Sequence, residues 1–385
     1  MPHSELQPHR VGLKSSLLNL MEKMMTEKLH VGYIGWLMHD ETDFCTTRAV
    51  CDINEEKVDG YVAKHPDVKG YTDYREMASD PDLDAVVIST PNWLHCEMAC
   101  CFLEENKHVF CEKPMGINRE EMNRMLLADR NADGQLAIDF EMRASSGPRR
   151  VKEIVDSGEI GAPVGIEFVH HRGCWLPEGS GKWRLNPDRS GGLYFMEVCH
   201  EVDFMRWILG EVTHVQSFKT PNVLPQYQKG MPDNVFTHLF FEDGAMSHIA
   251  TGHALSSQGH ESEEYEYPMG HGMYFVFTGE EGAIRLDAIR NEIFVVKLKD
   301  YPASGEGKRP EHERTEELSD PAACHDIGAN RRAFLKACAE GRPHLQDAED
   351  AWRSHAVCLA AEKSAREDFQ KIEVEYTIPD EDAEQ

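Results

Sequence analysis

Apolar and polar positions divide the chain into two halves that repeat with different periods. In the first half, short unbroken apolar runs alternate with segments whose apolar residues recur every three or four positions. Unbroken runs are typical of strands buried on both faces, and the intervening segments are typical of amphipathic helices, so this half predicts a doubly wound parallel sheet. The predicted strands are 29–35, 46–52, 83–89, 108–111 and 135–142, and the predicted helices are 55–64, a short helix after 74, 95–105 and a helix from the Asn118 cap to 131.

The second half alternates apolar and polar residues with a period of two, which is typical of strands with one buried face. A Glu-Asp-Gly turn at 242–244 joins two such runs and predicts a β-hairpin. We therefore expect an α/β domain built on a large, mostly antiparallel sheet with one open face. The predicted strands are 234–241, 245–252, 272–279, 282–287 and 292–298, the predicted helices are 148–158, 326–340 and 347–366, and residues 300–320 are predicted to form a surface loop.

These patterns predict two domains in a chain of 385 residues, which is long enough for two sizeable cores. Residues 1–28 are expected to be an N-terminal extension, residues 29–145 the first domain and residues 146–377 the second. The helices within 326–366 are expected to pack back onto the first domain. The short apolar piece of the extension, at 17–21, is too weak for a secretory signal peptide.

Composition and charge narrow the function classes. The net charge of −28 argues against a nucleic-acid partner, because phosphates would be repelled, and no apolar run approaches the length of a membrane span. The eleven cysteines include no Cys-x-x-Cys pair and several lie within apolar runs, so they predict reduced thiols in a cytoplasmic protein. The set His170, His171, Cys174 and Cys199 matches no standard zinc spacing, so no metal is expected.

The first candidate for chemistry is a lysine at the end of a predicted strand. A strand, a helix and a second strand within 83–111 form a parallel crossover that leads directly into Glu112, Lys113 and Pro114. Ligands of such sheets lie at the carboxyl ends of the strands. Lys113 is therefore expected at a binding edge, where its amine could hold or polarise an oxygen of a small substrate. A surface lysine is the alternative interpretation.

The motifs of the chain occur in an order that resembles a known family. The motifs are Ala49–Asn54, Ser89–Asn92 with His95, Cys111–Pro114, Val151–Gly161, Trp183–Arg184, Ser190–Leu193, His200 with Asp203, Arg206, Trp207 and Gly210, then Gly341–Pro343 and Ser364–Arg366. From Leu29 onward the sequence is similar to the glucose–fructose oxidoreductase, inositol dehydrogenase and MocA family. The resemblance implies a Rossmann domain joined to an α/β domain, and an enzyme that transfers hydride between NAD(P) and a hydroxyl-bearing carbon of a sugar, cyclitol or related polyol.

The resemblance also implies roles for individual residues. Lys113 would bind the reacting oxygen beside the nicotinamide, and His200 would be the general acid or base, because the unperturbed pKa of an imidazole lies near neutrality. Asp52 would accept hydrogen bonds from the adenosine ribose, which favours NAD over NADP. The other implied cofactor-binding residues are Gly35, Ser89, Thr90, Pro91, Asn92, His95 and Glu112, and the implied substrate-binding residues are Trp183, Arg184 and Asp203. His170 and His171 would lie on opposite faces of a strand, and we expect His171 to line the substrate wall.

The dinucleotide loop departs from the family pattern. The family has a Gly-x-Gly-x-x-Gly turn followed by a helix after the first strand, whereas here only Gly35 matches and ten residues separate it from Thr46. Trp36 and the acidic residues 40, 41 and 43 occupy this segment. The glycines normally let backbone N–H groups approach the pyrophosphate at a helix N-terminus. This departure predicts that the phosphates are held otherwise, or that dinucleotide binding is lost.

The catalytic helix departs as well. Many family members carry a carboxylate four residues before the histidine, where this chain has Met196. Glu197 lies three residues before His200, and residues three apart share a helix face, so Glu197 could orient His200. The alternative for Glu197 is a buried structural pairing with an arginine such as Arg206.

Three function hypotheses remain open on the sequence. The first is a cytoplasmic NAD-dependent oxidoreductase that acts on a small polyol or sugar, with Lys113 and His200 as its central pair. The second is a non-redox paralogue that has lost dinucleotide binding, and the third is a redox-neutral lyase or glycosidase that retains its NAD. The open face of the antiparallel sheet predicts a homodimer or homotetramer.

Overall fold

The computed structural model describes residues 28–175, 177–227, 230–256, 272–300, 307–320 and 322–378. The predicted N-terminal extension therefore lies outside the described residues, apart from its last position. The predicted fold class is confirmed: a six-stranded parallel sheet is followed by a mostly antiparallel sheet of nine strands.

The first sheet has the strand order β3-β2-β1-β4-β5-β6, and all its described pairs are parallel. This order reverses direction between β1 and β4, which places a ligand crevice at the carboxyl ends of those strands. The strands are β1 Leu29–Ile34, β2 Cys45–Cys51, β3 Lys69–Tyr71, β4 Ala85–Ile88, β5 His108–Cys111 and β6 Leu136–Ile138.

Helices connect and cover both sheets. Asn54, Asp73 and Asn118 each cap a helix start by accepting a hydrogen bond from a backbone N–H of the first turn. The helices are α1 Glu55–Val62, α2 Tyr74–Ala78, α3 His95–Glu104, α4 Arg119–Asn131, α5 Ser146–Asp156, α6 Gly181–Arg184, α7 Pro187–Ser190, α8 Cys199–Leu209, α9 Ile327–Ala339 and α10 Ala348–Arg366, with a π-helical segment at Tyr194–Val198.

The second sheet has the order β14-β13-β12-β11-β7-β10-β9-β8-β15, in which β7 and β10 pair in parallel and the other pairs are antiparallel. One face of this sheet packs against α8 and α10 through residues such as Phe168, Phe204 and Phe275. The strands are β7 Pro163–Gly173, β8 Val212–Lys219, β9 Asn234–Phe241, β10 Met246–Ser256, β11 Gly272–Gly279, β12 Gly282–Asp287, β13 Glu292–Asp300, β14 Lys308–Glu317 and β15 Ile372–Glu373.

The predictions for residues 300–320 and 135–142 are wrong in part. Lys308–Glu317 forms β14 within the segment that was predicted to be a loop. This strand lies at the sheet edge and is largely exposed, so its charged residues need no apolar alternation, and charge on an edge strand discourages aggregation. The strand predicted at 135–142 ends at Ile138, because Glu141–Arg143 turns into a 3₁₀ helix.

The connection between β1 and β2 contains no helix, and all of its residues are described. Asp40 within it accepts a hydrogen bond from the Tyr33 hydroxyl and lies 3.1 Å from the guanidinium of Arg331 on α9. Helix α9 packs on this face of the first sheet, where Phe334 and Leu335 lie in the same buried cluster as Val31. A helix from near the C-terminus therefore covers β1 and β2.

Two sequence-based expectations about the whole chain can be compared with the described residues. All eleven cysteines are free, and most of them are buried. Among the helices of the described part of the chain, none combines the length and hydrophobicity that crossing a bilayer would require.

The packing of α9 can be tested with two leucines. Leu335→Ala removes a fully buried side chain and is expected to lower the free energy of unfolding by about 2–5 kcal/mol. Leu345→Ala is the matched control, because Leu345 is 69% exposed, and its effect is expected to stay within about 0.5 kcal/mol. Urea unfolding followed by circular dichroism measures both. Equal effects of the two substitutions would contradict this packing.

Candidate active site

A cavity of about 550 Å³ lies at the carboxyl edge of the first sheet, where the second sheet closes over it. Its volume is within the range of small-molecule sites. Residues that follow β4, β5 and β6 form one wall, and residues of β7, the π-helical segment and α8 form the other. The lining residues are Trp36, Ser89, Thr90, Pro91, Asn92, Glu112, Lys113, Glu141, Met142, His170, Arg172, Trp175, Trp183, Arg184, Met196, Glu197, His200, Glu201, Met273, His325 and Ile327.

Lys113 follows β5 and extends into this cavity. Its ammonium donates a hydrogen bond to the carbonyl oxygen of Met196, in the π-helical segment. Burial works to lower the pKa of Lys113, but Cys199 and the carboxylates of Glu197 and Glu112 raise it above its usual value. The amine is therefore a cation at neutral pH, held against the element that leads into α8.

His95 is placed differently from its predicted role. It is fully buried, and its ring nitrogens lie 2.9 Å from the carbonyl oxygen of Pro114 and 2.8 Å from that of Thr90. It therefore braces the loop after β4 against the loop after β5, and it does not line the cavity. Asn92 lines the cavity and donates a hydrogen bond to the carbonyl oxygen of Ser190 over 2.8 Å, which ties the same loop to α7.

His200 reaches the cavity from the first turn of α8 and is only 7% exposed. Its Nδ1 lies 2.9 Å from Oε2 of Glu141, and its ring packs edge-on against Phe140. Burial lowers the pKa of His200 below its usual value, although the nearby Glu141 carboxylate opposes this effect. His200 is therefore neutral near pH 7 and lines the same cavity as Lys113.

Glu141 lines the cavity but is not among the site residues predicted from the sequence. It begins the 3₁₀ helix that follows β6, and it is 1% exposed. One of its carboxylate oxygens, Oε1, contacts Nδ1 of His325. Its pKa is lowered despite burial, because His200 and His325 both favour the ionised carboxylate. The rule that ligand-binding residues follow parallel strands could have identified Glu141. No sequence signal identified His325, which lies just before α9.

Glu197 does not pair with His200. Its carboxylate accepts a hydrogen bond from the guanidinium of Arg172 on β7, and both side chains are almost fully buried. Burial works to raise the pKa of Glu197, but Arg172 lowers it well below its usual range. Glu197 is therefore paired with an arginine, as the alternative interpretation expects. The partner is Arg172, because Arg206 is held by Glu211 and Asp350.

Two further acids in the cavity differ from Glu141 and Glu197. Burial raises the pKa of Glu112 to about 7 and that of Glu201 to about 8. One carboxyl oxygen of Glu201 is buried without a hydrogen-bond partner among the described residues. A protonated carboxyl group can donate a hydrogen bond, so these two side chains can bind hydroxyl oxygens as well as hydroxyl hydrogens.

Two predicted substrate-binding residues lie outside the cavity. Asp203 is fully buried and accepts hydrogen bonds from Arg143, Gln346 and Ser354, so its role is to join α8 to α10. His171 lies on the opposite face of β7 from the cavity, and His170 lines the cavity instead. Alternation along β7 places His170 and His171 on opposite faces, as predicted, but alternation alone does not identify the face that points toward the cavity.

The predicted cofactor end has a mixed outcome. Gly35 has a φ of +82°, and a Cβ there would lie 2.5 Å from the carbonyl oxygen of Ser89, so only glycine fits between β1 and β4. Asp52 ends β2 beside Gly35, and Lys57 joins the two by contacting the Asp52 carboxylate and the Gly35 carbonyl oxygen. Neither Gly35 nor Asp52 lines the cavity, which reaches this side at Trp36.

The metal interpretation has no geometric support. Across the described residues, no group of three or more histidine, cysteine, aspartate or glutamate side chains is arranged to hold a metal ion.

Comparisons with known families match both halves of the chain. The model described as the oxidoreductase family with an NAD-binding Rossmann fold matches residues 31–140. The model described as the GFO/IDH/MocA C-terminal domain matches residues 149–285.

Individual relatives agree with these family matches. The chain is 32% identical over 224 residues to the uncharacterized oxidoreductase YrbE of Bacillus subtilis, covering 58% of this chain and 62% of that protein. It is 27% identical to myo-inositol 2-dehydrogenase of Thermotoga maritima, covering 83% and 88% of the two chains. The alignment with inositol 2-dehydrogenase of Salmonella typhimurium, at 32% identity, spans 42% of this chain and 46% of that protein. The chain thus spans less than two thirds of several relatives that it matches.

Solved structures support the fold. The structure of levoglucosan dehydrogenase in complex with NADH superimposes with a TM-score of 0.74 at 21% identity, covering 91% of this chain and all of that one. This likeness concerns the arrangement of strands and helices in both domains.

Proposed function

Because the chain belongs to the Gfo/Idh/MocA family of oxidoreductases, we propose that it transfers hydride between NAD(P) and a hydroxyl-bearing carbon of a sugar, cyclitol or related polyol. The observation that supports this proposal most strongly is the convergence of Lys113 and His200 on one cavity, although they lie in different domains of the sequence. The names of its relatives, which include inositol dehydrogenases, agree with this substrate class.

The two residues have complementary charge states for this reaction. The Lys113 ammonium would bind the reacting oxygen and stabilise the negative charge that develops on it when the hydroxyl loses its proton. The neutral His200 imidazole would accept that proton at Nε2, since its Nδ1 faces Glu141. In the reverse direction, the His200 imidazolium would return the proton to the oxygen.

The cofactor end supports a dinucleotide in part. Ser89 to Asn92 line the cavity beside Lys113, and Asp52 stands at the end of β2, where its carboxylate could accept the ribose hydroxyls. The helix N-terminus that would receive the pyrophosphate is absent from the β1–β2 connection. We propose that the Lys57 ammonium, which lies between Asp52 and Gly35, supplies positive charge there instead. When bound, the nicotinamide ring would accept or deliver the hydride.

The cavity also supports a polyhydroxylated substrate. Trp175 and Trp183 offer apolar ring surface, which suits the C–H face of a sugar or cyclitol ring. Arg184, Glu201 and Glu112 offer hydrogen-bonding groups that suit several hydroxyls. We propose that the ring of the substrate lies between these two sets of side chains.

Loss of either central residue should abolish turnover while leaving the fold intact. Lys113→Ala removes the charge that stabilises the alkoxide, and His200→Ala removes the base, so each is expected to lower kcat by about 100-fold or more. The measurement is nicotinamide absorbance during incubation with a panel of inositols, aldoses and sugar alcohols. Circular dichroism checks folding.

Matched controls for this experiment are Lys64→Ala and His312→Ala, which alter exposed residues outside the cavity and should retain full activity. Turnover at the native rate by both Lys113→Ala and His200→Ala would refute the assignment.

Cofactor binding separates this proposal from the non-redox alternative, which the missing β1–β2 helix favours. We expect calorimetric titration to give micromolar affinity for NAD and weaker affinity for NADP, because the Asp52 carboxylate would repel a 2′-phosphate. Asp52→Ala should reduce this preference. The matched control is Asp133→Ala, at an exposed residue far along the chain.

If neither dinucleotide bound to protein that had been stripped of endogenous ligand, the non-redox alternative would replace this proposal. A nicotinamide that co-purified with the protein, and was not consumed during turnover, would instead support the redox-neutral alternative.

We also propose that the outer face of the second sheet joins two copies of the chain in a homodimer or larger homo-oligomer. Phe236, Met246 and Phe294 on this face are 41%, 46% and 36% exposed, and apolar faces of this kind are usually covered.

The free thiols suit a reducing compartment, which we propose is the cytoplasm.

Sedimentation velocity tests the assembly. The native protein is expected to sediment as a dimer or tetramer, and Phe236→Glu combined with Met246→Glu should shift it toward a monomer because charge would be buried at the interface. The exposed substitution Ile53→Glu is the control. A native protein that is monomeric at micromolar concentration would contradict the proposal.

A further inference from the structure

We propose that Glu141 is the positioning residue of His200, and that His325 acts as a second imidazole that balances the charge of Glu141 and keeps His200 neutral as the base. This inference rests on the proposed function for the role of His200. It assigns two residues, Glu141 after β6 and His325 before α9, to a site whose expected carboxylate is Glu197, in the π-helical segment that precedes α8.

The geometry places Glu141 between the two rings. Its Oε2 lies 2.9 Å from Nδ1 of His200, and its Oε1 contacts Nδ1 of His325. The two rings meet edge to face with centroids 5.5 Å apart, and both line the cavity. Each carboxylate oxygen therefore has its own imidazole, so the buried charge of Glu141 is neutralised within the group.

The loop that bears His325 is attached to the segment that bears Glu141. The backbone N–H of Asp326 donates to Oγ of Ser145 over 2.9 Å, and the N–H of Gly147 donates to the carbonyl oxygen of Ala323 over 2.8 Å. The Ser145 hydroxyl in turn donates to the Glu141 carbonyl oxygen. These hydrogen bonds lie just before and just after His325 in the chain. They attach the loop that bears His325 to the segment that bears Glu141.

The two histidines differ in exposure and therefore in charge. The side chain of His200 is 9% exposed, whereas that of His325 is 58% exposed. The Glu141 carboxylate raises the pKa of His325, while burial lowers that of His200. The first proton taken up by the group therefore goes to His325, and the resulting pair of opposite charges leaves His200 uncharged. The other titratable groups that influence Glu141 and His200 are Lys113, Glu112, Asp139, Cys199, Glu201 and His355.

This arrangement determines which nitrogen of His200 can react. When Nδ1, which faces the Glu141 carboxylate at 2.9 Å, carries the hydrogen, Nε2 has a free lone pair. In the alcohol-oxidising direction, the substrate O–H bond breaks and an N–H bond forms at Nε2, while the hydrogen on Nδ1 stays in place, facing Glu141. The proton then leaves from Nε2 to water. Glu141 stays ionised throughout and fixes the tautomer.

The pH profile of kcat/KM tests the positioning role. Glu141→Gln removes the carboxylate, and its amide can donate to Nδ1 and so favour the wrong tautomer, so activity should fall about 100-fold or more. Loss of the negative charge should also move the acidic limb of the profile to lower pH. Glu141→Asp should restore part of the activity. Glu104→Gln, at an exposed site outside the cavity, is the control and should leave the profile unchanged.

His325→Asn tests the charge-balancing role in the opposite direction. Without the His325 imidazolium, Glu141 would act on His200 alone and raise its pKa, so the acidic limb should move to higher pH with a smaller loss of kcat. His312→Asn is the control. A purely structural role for either residue would lower activity without moving the limb. An unmoved limb in both Glu141→Gln and His325→Asn would overturn the proposal.

Nitrogen NMR of protein labelled with ¹⁵N-histidine gives a readout that needs no turnover. The His200 signals, assigned by their absence in His200→Asn, should show a protonated Nδ1 and an unprotonated Nε2 at neutral pH, and this pattern should be lost in Glu141→Gln. An Nε2-protonated His200 in the native protein would overturn the proposal. If the expected tautomer is found but no polyol is oxidised, the proposed function fails and the positioning role of Glu141 stands.

Discussion

The hydrogen bond from the Lys113 ammonium to the Met196 carbonyl oxygen is the contact on which the rest of the site depends. It joins the edge of the first sheet to the π-helical segment that precedes α8, over a sequence separation of 83 residues. Four residues after Met196, the chain presents His200 to the same cavity. The strand order of the first sheet places Lys113, and this bond then places α8 beside it.

Charge balance is the second constraint on the site. Four glutamates line the cavity, and their pKa values are shifted in opposite directions in two pairs. Glu197 and Glu141 each face cationic partners and stay ionised, whereas burial raises the pKa of Glu112 and Glu201 toward or above neutrality. A buried carboxylate without a partner would destabilise the folded state. Arg172 and His325 therefore stabilise the fold as well as set the charge of the cavity.

The sequence predicted the architecture well because buried parallel strands and alternating strands leave different patterns. It placed Lys113 correctly, because a residue after a parallel strand must lie at the sheet edge, and the same rule would have found Glu141. It selected His171 for the substrate wall, whereas His170 lines the cavity, because alternation separates two faces without naming the one that points toward the cavity. The sequence also did not indicate that Asp203 accepts hydrogen bonds from Arg143, Gln346 and Ser354, because those partners come from other helices and loops.

The exposed strand β14 shows a further limit of pattern analysis. An edge strand with both faces wet has no apolar alternation, so a charged segment of this kind cannot be told from a loop by sequence alone. The ten residues between Gly35 and Thr46 indicate that the β1–β2 connection is too short for the usual helix. The sequence pattern does not indicate that α9, from far along the chain, covers this face of the sheet instead.

We propose that the Lys113 amine and the His200 imidazole act on one oxygen atom of the substrate. A crystal structure of the protein with NAD and a polyol bound tests this most directly. If the two side chains act together, Nζ of Lys113 and Nε2 of His200 both lie within about 3.2 Å of the same substrate oxygen. A polyol whose hydroxyls contact only one of these atoms, or which binds outside the cavity, would contradict it.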